Sequence, residues 1–131
     1  MTRADVAWVL RKSAYGSVGA VDDLQVVKRT PSGRAQQVAI VGRERTLTVS
    51  GYDLRQLFGF DHIRSPRFSI FDEGDAFVLD GRGWGHGVGM CQWGAAELAR
   101  RGLLAQEILA FYYPGSEIAR LSDVVPAAAA P

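Results

Sequence analysis

The segment from Gly81 to Gly94 constrains the fold of this chain more than any other feature. Its sequence is GRGWGHGVGMCQWG, and its six glycines are Gly81, Gly83, Gly85, Gly87, Gly89 and Gly94. Glycine loses the most backbone entropy on folding, so a folded run of it indicates unusual dihedral angles or close backbone approach. A flexible linker would combine glycine with serine rather than with two tryptophans and a histidine. We therefore predict a tightly shaped, functional loop.

Composition predicts a single globular domain and excludes several classes of function. The chain has 131 residues, 47% of them hydrophobic and 22% charged, with a formal net charge of +1. This small net charge does not indicate binding to nucleic acid or to an anionic membrane. No apolar run approaches the roughly 20 residues of a membrane-spanning helix. The charged N-terminal residues predict no signal peptide, and the single cysteine excludes an intrachain disulfide.

Hydrophobic periodicity predicts an α+β fold of antiparallel hairpins packed with short helices, in which the glycine-rich segment leads into a C-terminal helix pair. Four helices are predicted: residues 5–15, a short helix that is capped by Ser50 and ends near Gly59, residues 91–101, and residues 104–113. The predicted strands cover 24–29, 34–41 and 45–49, then a hairpin over 67–79 that turns at 72–75, and a last strand at 118–121. A loop is predicted at 16–23, and a disordered alanine- and proline-rich tail at 122–131.

Two interpretations of the glycine-rich segment rest on its aromatic and amide side chains. In the structural interpretation, the glycines let Trp84 and Trp93 pack, and His86 is a buried, hydrogen-bonded ring. In the other interpretation, the segment forms a glycan-binding cleft. Sugars stack their apolar faces on indole rings, and their hydroxyls bond to groups such as the His86 imidazole and the Gln92 amide.

Two further interpretations use Cys91. At a predicted helix N-terminus, where the helix dipole favours the thiolate, Cys91 could act as a nucleophile with His86 as its base. A metal site would combine His86 and Cys91 with His62, although structural zinc takes four ligands and the expected ligand spacing is missing. The phosphate-binding GxGxxG pattern does not occur here in its strict form.

The glycine-rich segment closely resembles the signature of the SpoIID/LytB family, the bacterial stage II sporulation protein D and amidase enhancer proteins. The resemblance continues downstream through 95–99, Gly102, 107–109 and 111–116, and upstream it includes 32–34, 51–55 and 65–68. It covers about residues 8–121 and implies a family domain over 5–121. Relatives often carry serine at position 91, which argues against an obligatory thiol nucleophile.

The resemblance implies a role at peptidoglycan in sporulation and cell-wall remodelling. Sporulation members of the family are lytic transglycosylases that cleave glycan strands stripped of stem peptides, and amidase-enhancer members are linked to wall turnover. Such an enzyme protonates the glycosidic oxygen with one carboxylic acid, and the sugar's own 6-hydroxyl then closes a ring, so no second carboxylate is needed as a nucleophile. The acid must be held protonated in a partly apolar pocket.

The family's catalytic glutamate lies in an N-terminal helical motif that this sequence lacks, since its first glutamate is Glu44. We therefore expect the C-terminal portion of the family domain, assign no catalytic residue and leave enzymatic activity open. The carboxylates Asp53, Asp80 and Glu97 are interpreted as a helix cap, a strand-end residue and a solvated helix residue.

The resemblance also gives a set of expectations for binding. A glycan-binding cleft would be lined by Arg82, Trp84, His86, Gln92 and Trp93. The expected partners are peptidoglycan glycan strands or, if the chain is a non-catalytic helper, a cell-wall amidase. The family implies an extracytoplasmic location, and neither a cofactor nor a metal is expected.

Overall fold

The computed structural model describes residues 1–120, which divide into two compact units. The first unit is Met1–Gly87, and the second begins at Val88. Antiparallel sheets and short helices confirm the predicted α+β class. The predicted tail at 122–131 lies outside the described residues.

The first unit contains two helices and two sheets. In chain order its elements are α1 (Arg3–Lys12), β1 (Val21–Arg29), β2 (Ala35–Gly42), β3 (Thr46–Val49), α2 (Gly51–Phe58), β4 (Phe68–Asp72) and β5 (Phe77–Gly81). Strands β1, β2 and β3 form an antiparallel meander with β2 in the centre, and β4 and β5 form a separate hairpin. The second unit contains α3 (Gln92–Arg100) and α4 (Ala105–Tyr112).

One hydrophobic core holds the first unit together. Each helix packs on the meander, α1 against β1 and α2 against β2, and β4 contacts β1. The largest fully buried side chains come from all of these layers: Val6, Leu10, Val18, Val38, Ile40, Leu54 and Phe77. Because the hairpin contributes Phe68 and Phe77 to this core, the position of β5 is fixed where the glycine-rich segment begins.

Helix α1 begins and ends earlier than the predicted range of 5–15. The Thr2 hydroxyl accepts a hydrogen bond from the Asp5 N–H at 3.1 Å, and the Asp5 carboxylate accepts one from the Thr2 N–H at 3.0 Å. Hydrogen bonding of the Thr2 side chain and of the Thr2 N–H to the carboxylate lowers the pKa of Asp5. The helix ends at Lys12 because Ser13 adopts an extended conformation and its hydroxyl donates to the Leu10 carbonyl at 2.7 Å.

The prediction that Asp22 and Asp23 lie in a loop was wrong, because β1 begins at Val21. The Arg3 guanidinium donates to the carbonyls of Val21 and Asp22, and Arg43 pairs with the Asp22 carboxylate at 3.4 Å. These partners stabilise a strand that the local sequence does not favour. The last predicted strand also fails over residues 118–120, which are not strand, and residue 121 lies outside the described range.

The capping residues of α2 confirm the predicted helix start. The Ser50 hydroxyl accepts from the Asp53 N–H at 3.0 Å, and the Asp53 carboxylate accepts from the Ser50 N–H at 3.3 Å. Gly59 ends the helix with a φ of +94°, a conformation that favours glycine. These two ends fix which residues face the core, and Leu54 is fully buried.

Replacing the cap residue, Ser50→Ala, should lower the free energy of unfolding by about 1 kcal/mol, because an orphan N–H of the first turn loses its acceptor. Urea denaturation followed by circular dichroism measures this difference. The matched control is Ser69→Ala at an exposed position of β4. Equal stability of the two variants would contradict the proposed contribution of the cap.

Candidate functional site

A groove with a volume of about 560 Å³ opens in the first unit beside the end of β5. One wall is the loop between α2 and β4, and the other is the start of the glycine-rich segment. The lining residues are Asp61, His62, Ile63, Arg64, Ser65, Phe68, Leu79, Gly81, Arg82, Gly83 and Trp84. This volume lies within the range of about 300–1,000 Å³ that is typical of small-ligand sites.

Backbone hydrogen bonds join the two walls of the groove. The Arg82 N–H donates to the Arg67 carbonyl at 2.9 Å, and the Gly85 N–H donates to the Arg64 carbonyl at 2.8 Å. Between these contacts Gly83 has a φ of +83°, and Gly85 itself has a φ of +103°. Residues with a side chain rarely adopt these angles, so the alternating glycines allow the chain to follow this wall.

Arg55 fixes the wall formed by residues 63–65. Its side chain is buried, Nε donates to the Ile63 carbonyl at 2.7 Å, and a terminal nitrogen donates to the Arg64 carbonyl at 2.9 Å. The guanidinium also lies 4.9 Å from the centre of the Phe60 ring. A buried guanidinium is tolerated when its donors are satisfied in this way. Arg55 therefore holds the loop that carries Arg64.

Trp84 and Arg64 form a cation–π contact at the groove. The Arg64 guanidinium carbon lies 4.8 Å from the centre of the Trp84 ring. Trp84 is nevertheless 72% exposed. A contact of this kind is worth about 0.5–1 kcal/mol at an exposed site, enough to orient the indole while most of its surface stays open to a ligand.

The structure places the five predicted cleft residues in two separate units. Arg82 and Trp84 line the groove of the first unit, and His86 is an exposed residue of that unit. Gln92 and Trp93 form the exposed first turn of α3 in the second unit. A single cleft made from all five residues therefore stays a prediction.

Sequence reasoning missed several polar residues that line the groove with Arg82 and Trp84. Arg64, Ser65 and Asp61 were not proposed for binding, and His62 was considered only as a metal ligand. The resemblance at residues 65–68 was the signal that could have directed attention to this loop. The loop has no hydrophobic periodicity from which its location could be predicted. Its position in the groove wall depends on the hydrogen bonds of Arg55.

Tyr112, the last residue of α4, and Tyr113, its C-cap, explain Gly89 and Gly94 of the second unit. The Tyr113 hydroxyl accepts a hydrogen bond from the Met90 N–H at 3.0 Å. A Cβ atom on Gly89 would lie 3.0 Å from the same hydroxyl, and one on Gly94 would overlap the Tyr112 hydroxyl. These glycines thus allow the tyrosines to approach the backbone, which is a structural role.

The remaining candidate residues are dispersed. Cys91 is the exposed N-cap of α3 and makes no side-chain capping hydrogen bond. Asp80 is exposed in β5, and Glu97 pairs with Arg101 at 3.0 Å. Within residues 1–120, no group of three or more His, Cys, Asp or Glu side chains is arranged to hold a metal ion.

The helices described over residues 1–120 offer no candidate membrane span, since none combines the required length and apolarity.

Comparison with known proteins identifies the family. Residues 3–89 match the model of a family described as a domain of unknown function, DUF8618. The chain is 26% identical over 129 residues to the "Amidase enhancer" of Bacillus subtilis. It is 33% identical over 94 residues to "Stage II sporulation protein D" of the same species, and equally so to that protein of Bacillus amyloliquefaciens. The chain belongs to the SpoIID/LytB family, and its first unit carries the DUF8618 match.

The similarity extends over most of this chain but over a small part of its relatives. The alignments cover 85% of the chain against the amidase enhancer and 72% against either sporulation protein. The chain spans 18% of the length of the amidase enhancer and 25% of each sporulation protein. The names of these relatives support a cell-wall-related role of the SpoIID/LytB family.

The contact of Tyr112 with Gly94 predicts that Gly94→Ala destabilises this SpoIID/LytB chain. Alanine normally stabilises a helix interior by about 1 kcal/mol relative to glycine. Here the added methyl group meets the Tyr112 hydroxyl, and overpacking of this kind costs about 1–3 kcal/mol. We expect Gly94→Ala to reduce the helical circular dichroism signal and the melting temperature.

The double variant Gly94→Ala, Tyr112→Phe tests the cause of this loss. Without the hydroxyl, the nearest ring atom lies 3.4 Å from the new methyl group, so part of the lost stability should return. Ala99→Gly, at an exposed position of α3, reports the ordinary propensity difference. A stabilising effect of Gly94→Ala alone would contradict the packing of Tyr112 on this glycine.

Proposed function

We propose that this chain is a peptidoglycan-binding part of a SpoIID/LytB protein and that glycan strands bind in the groove beside β5. The observation that carries the proposal is the arrangement of Trp84, an exposed and oriented indole, next to Arg64, Ser65 and Arg82. Sugar recognition needs this combination of an aromatic face and convergent polar groups. The family membership is consistent with such a role.

The groove would contribute three kinds of contact. The Trp84 indole would stack on the apolar face of a pyranose ring. The guanidinium groups of Arg64 and Arg82 would donate hydrogen bonds to acetamido carbonyl, hydroxyl or lactyl carboxylate oxygens. Ser65 is buried in the wall, and its hydroxyl already accepts from the Arg67 N–H at 3.2 Å, so it would serve as a fixed polar point.

We propose binding without turnover for the chain by itself. A lytic transglycosylase needs an acid that stays protonated near neutral pH, which requires a partly apolar pocket. The carboxylate among the groove-lining residues is Asp61, and that residue is exposed to solvent. The groove thus supports recognition of a glycan better than protonation of its glycosidic oxygen. We further propose that the protein acts outside the cytoplasm, where peptidoglycan lies.

Trp84→Ala should weaken binding of glycan strands stripped of stem peptides by about tenfold or more, because the stacking surface is lost. Isothermal titration calorimetry of the whole chain measures this affinity. The matched control is Trp8→Ala, which removes an exposed indole from α1 outside this groove. Equal affinities of the two variants would contradict a glycan site at Trp84.

Two further measurements define the extent and the chemistry of the site. Trp93→Ala tests the predicted five-residue cleft, which requires a loss of affinity in this variant. Turnover of denuded strands by the chain alone would contradict binding without catalysis. Product analysis by mass spectrometry detects the anhydro ends that lytic transglycosylases leave.

A second candidate function is a non-catalytic helper that stimulates a cell-wall amidase. The name of the Bacillus subtilis relative, amidase enhancer, favours this alternative. It predicts that the chain accelerates release of stem peptides by a purified wall amidase. Stimulation that persists in Trp84→Ala, together with no measurable affinity for glycan strands, would favour the helper over the glycan-binding module.

A further inference from the structure

Arg34 is packed directly against the glycine-rich segment within the first unit. It precedes β2 at the end of the β1–β2 turn, and its guanidinium occupies the space that a side chain on Gly87 would need. Gly87 has a φ of +71°, so both its backbone conformation and this contact require glycine. Arg34 thus packs against Gly87, the residue that follows His86.

The β1–β2 turn holds Arg34 in this position. The Thr30 N–H donates to the Arg34 carbonyl at 2.9 Å, and the Arg34 N–H donates to the Thr30 hydroxyl at 3.2 Å. A terminal nitrogen of the guanidinium donates to the Ser32 hydroxyl at 2.8 Å. Because backbone and side chain are both held, the guanidinium forms a rigid support rather than a mobile surface group.

One nitrogen of the Arg34 side chain is left unsatisfied. The Nε atom of Arg34 is fully buried, and it has no hydrogen-bond partner within residues 1–120. A buried donor without an acceptor costs free energy that an apolar side chain of similar length would not. The buried, unpaired Nε therefore indicates that Arg34 has a role other than stabilising the fold.

We propose that Arg34 is a positioning residue that holds the His86 turn in place for ligand binding; this inference rests on the proposed glycan site. On one side of the turn, the Gly85 N–H is bonded to the Arg64 carbonyl of the groove wall. On the other side, Gly87 rests on the Arg34 guanidinium. With both neighbours held, the exposed His86 imidazole is presented at a fixed place next to the groove.

The variant Arg34→Met tests this role, because methionine keeps most of the packing volume and removes the unpaired donor. We expect an equal or higher melting temperature, a changed imidazole signal of His86 in ¹H–¹³C NMR spectra, and an affinity for denuded glycan strands that falls by about tenfold. His62→Gln assigns the signal, since the chain has two histidines. The matched control is Arg43→Met, an exposed arginine on the turn before β3.

The NMR and binding measurements separate the two proposals. If the unaltered chain binds no glycan, the proposed function fails, while the His86 signal still decides the role of Arg34. An unchanged His86 signal in Arg34→Met would overturn the positioning role, even if glycan binding is confirmed. Full recovery of signal and affinity by Arg34→Lys would also overturn it, because lysine restores the charge without the planar group that packs on Gly87.

Discussion

The buried guanidinium of Arg55 is the interaction on which the candidate site depends. It joins α2 to the carbonyls of Ile63 and Arg64, and so converts an irregular loop into a fixed wall. Arg64 then orients Trp84, and its carbonyl accepts from Gly85. The helix, the loop and the first half of the glycine-rich segment are thus connected through Arg55 and Arg64. Water would compete for these hydrogen bonds at the surface, but burial of Arg55 protects them.

The glycine-rich segment serves different purposes along its length. From Gly81 to Gly87 its glycines have positive φ angles or lie against groove and turn residues, so they shape a path beside the proposed ligand site. In the second unit, Gly89 and Gly94 make room for the hydroxyls of Tyr113 and Tyr112. One sequence signature therefore combines a proposed binding function with ordinary close packing. The structural interpretation accounts for Gly89 and Gly94, and the glycan-binding interpretation stays a proposal for the first half of the segment.

Local sequence signals predicted the elements well where the deciding contacts are themselves local. The Ser50 cap, the end of α2 at Gly59 and the stop of α3 before Gly102 depend on residues within one turn, and all three are observed. The start of β1 was mispredicted because Arg3, distant in sequence, bonds to the carbonyls of Val21 and Asp22. For the candidate groove, the signature drew attention to Arg82 and Trp84, which line it, but not to the opposite wall at 61–65.

The sequence by itself determined the α+β class and the family, because these follow from local hydrophobic periodicity and from a long, specific motif. The tertiary structure alone decided which side chains meet. It brought Arg64 and Ser65 to Trp84, buried Arg55, and seated Arg34 on Gly87. The contacts of Arg64 with Trp84 and of Arg34 with Gly87 join residues tens of positions apart. Periodicity reports which face of an element is buried, but it does not report which distant residue covers that face.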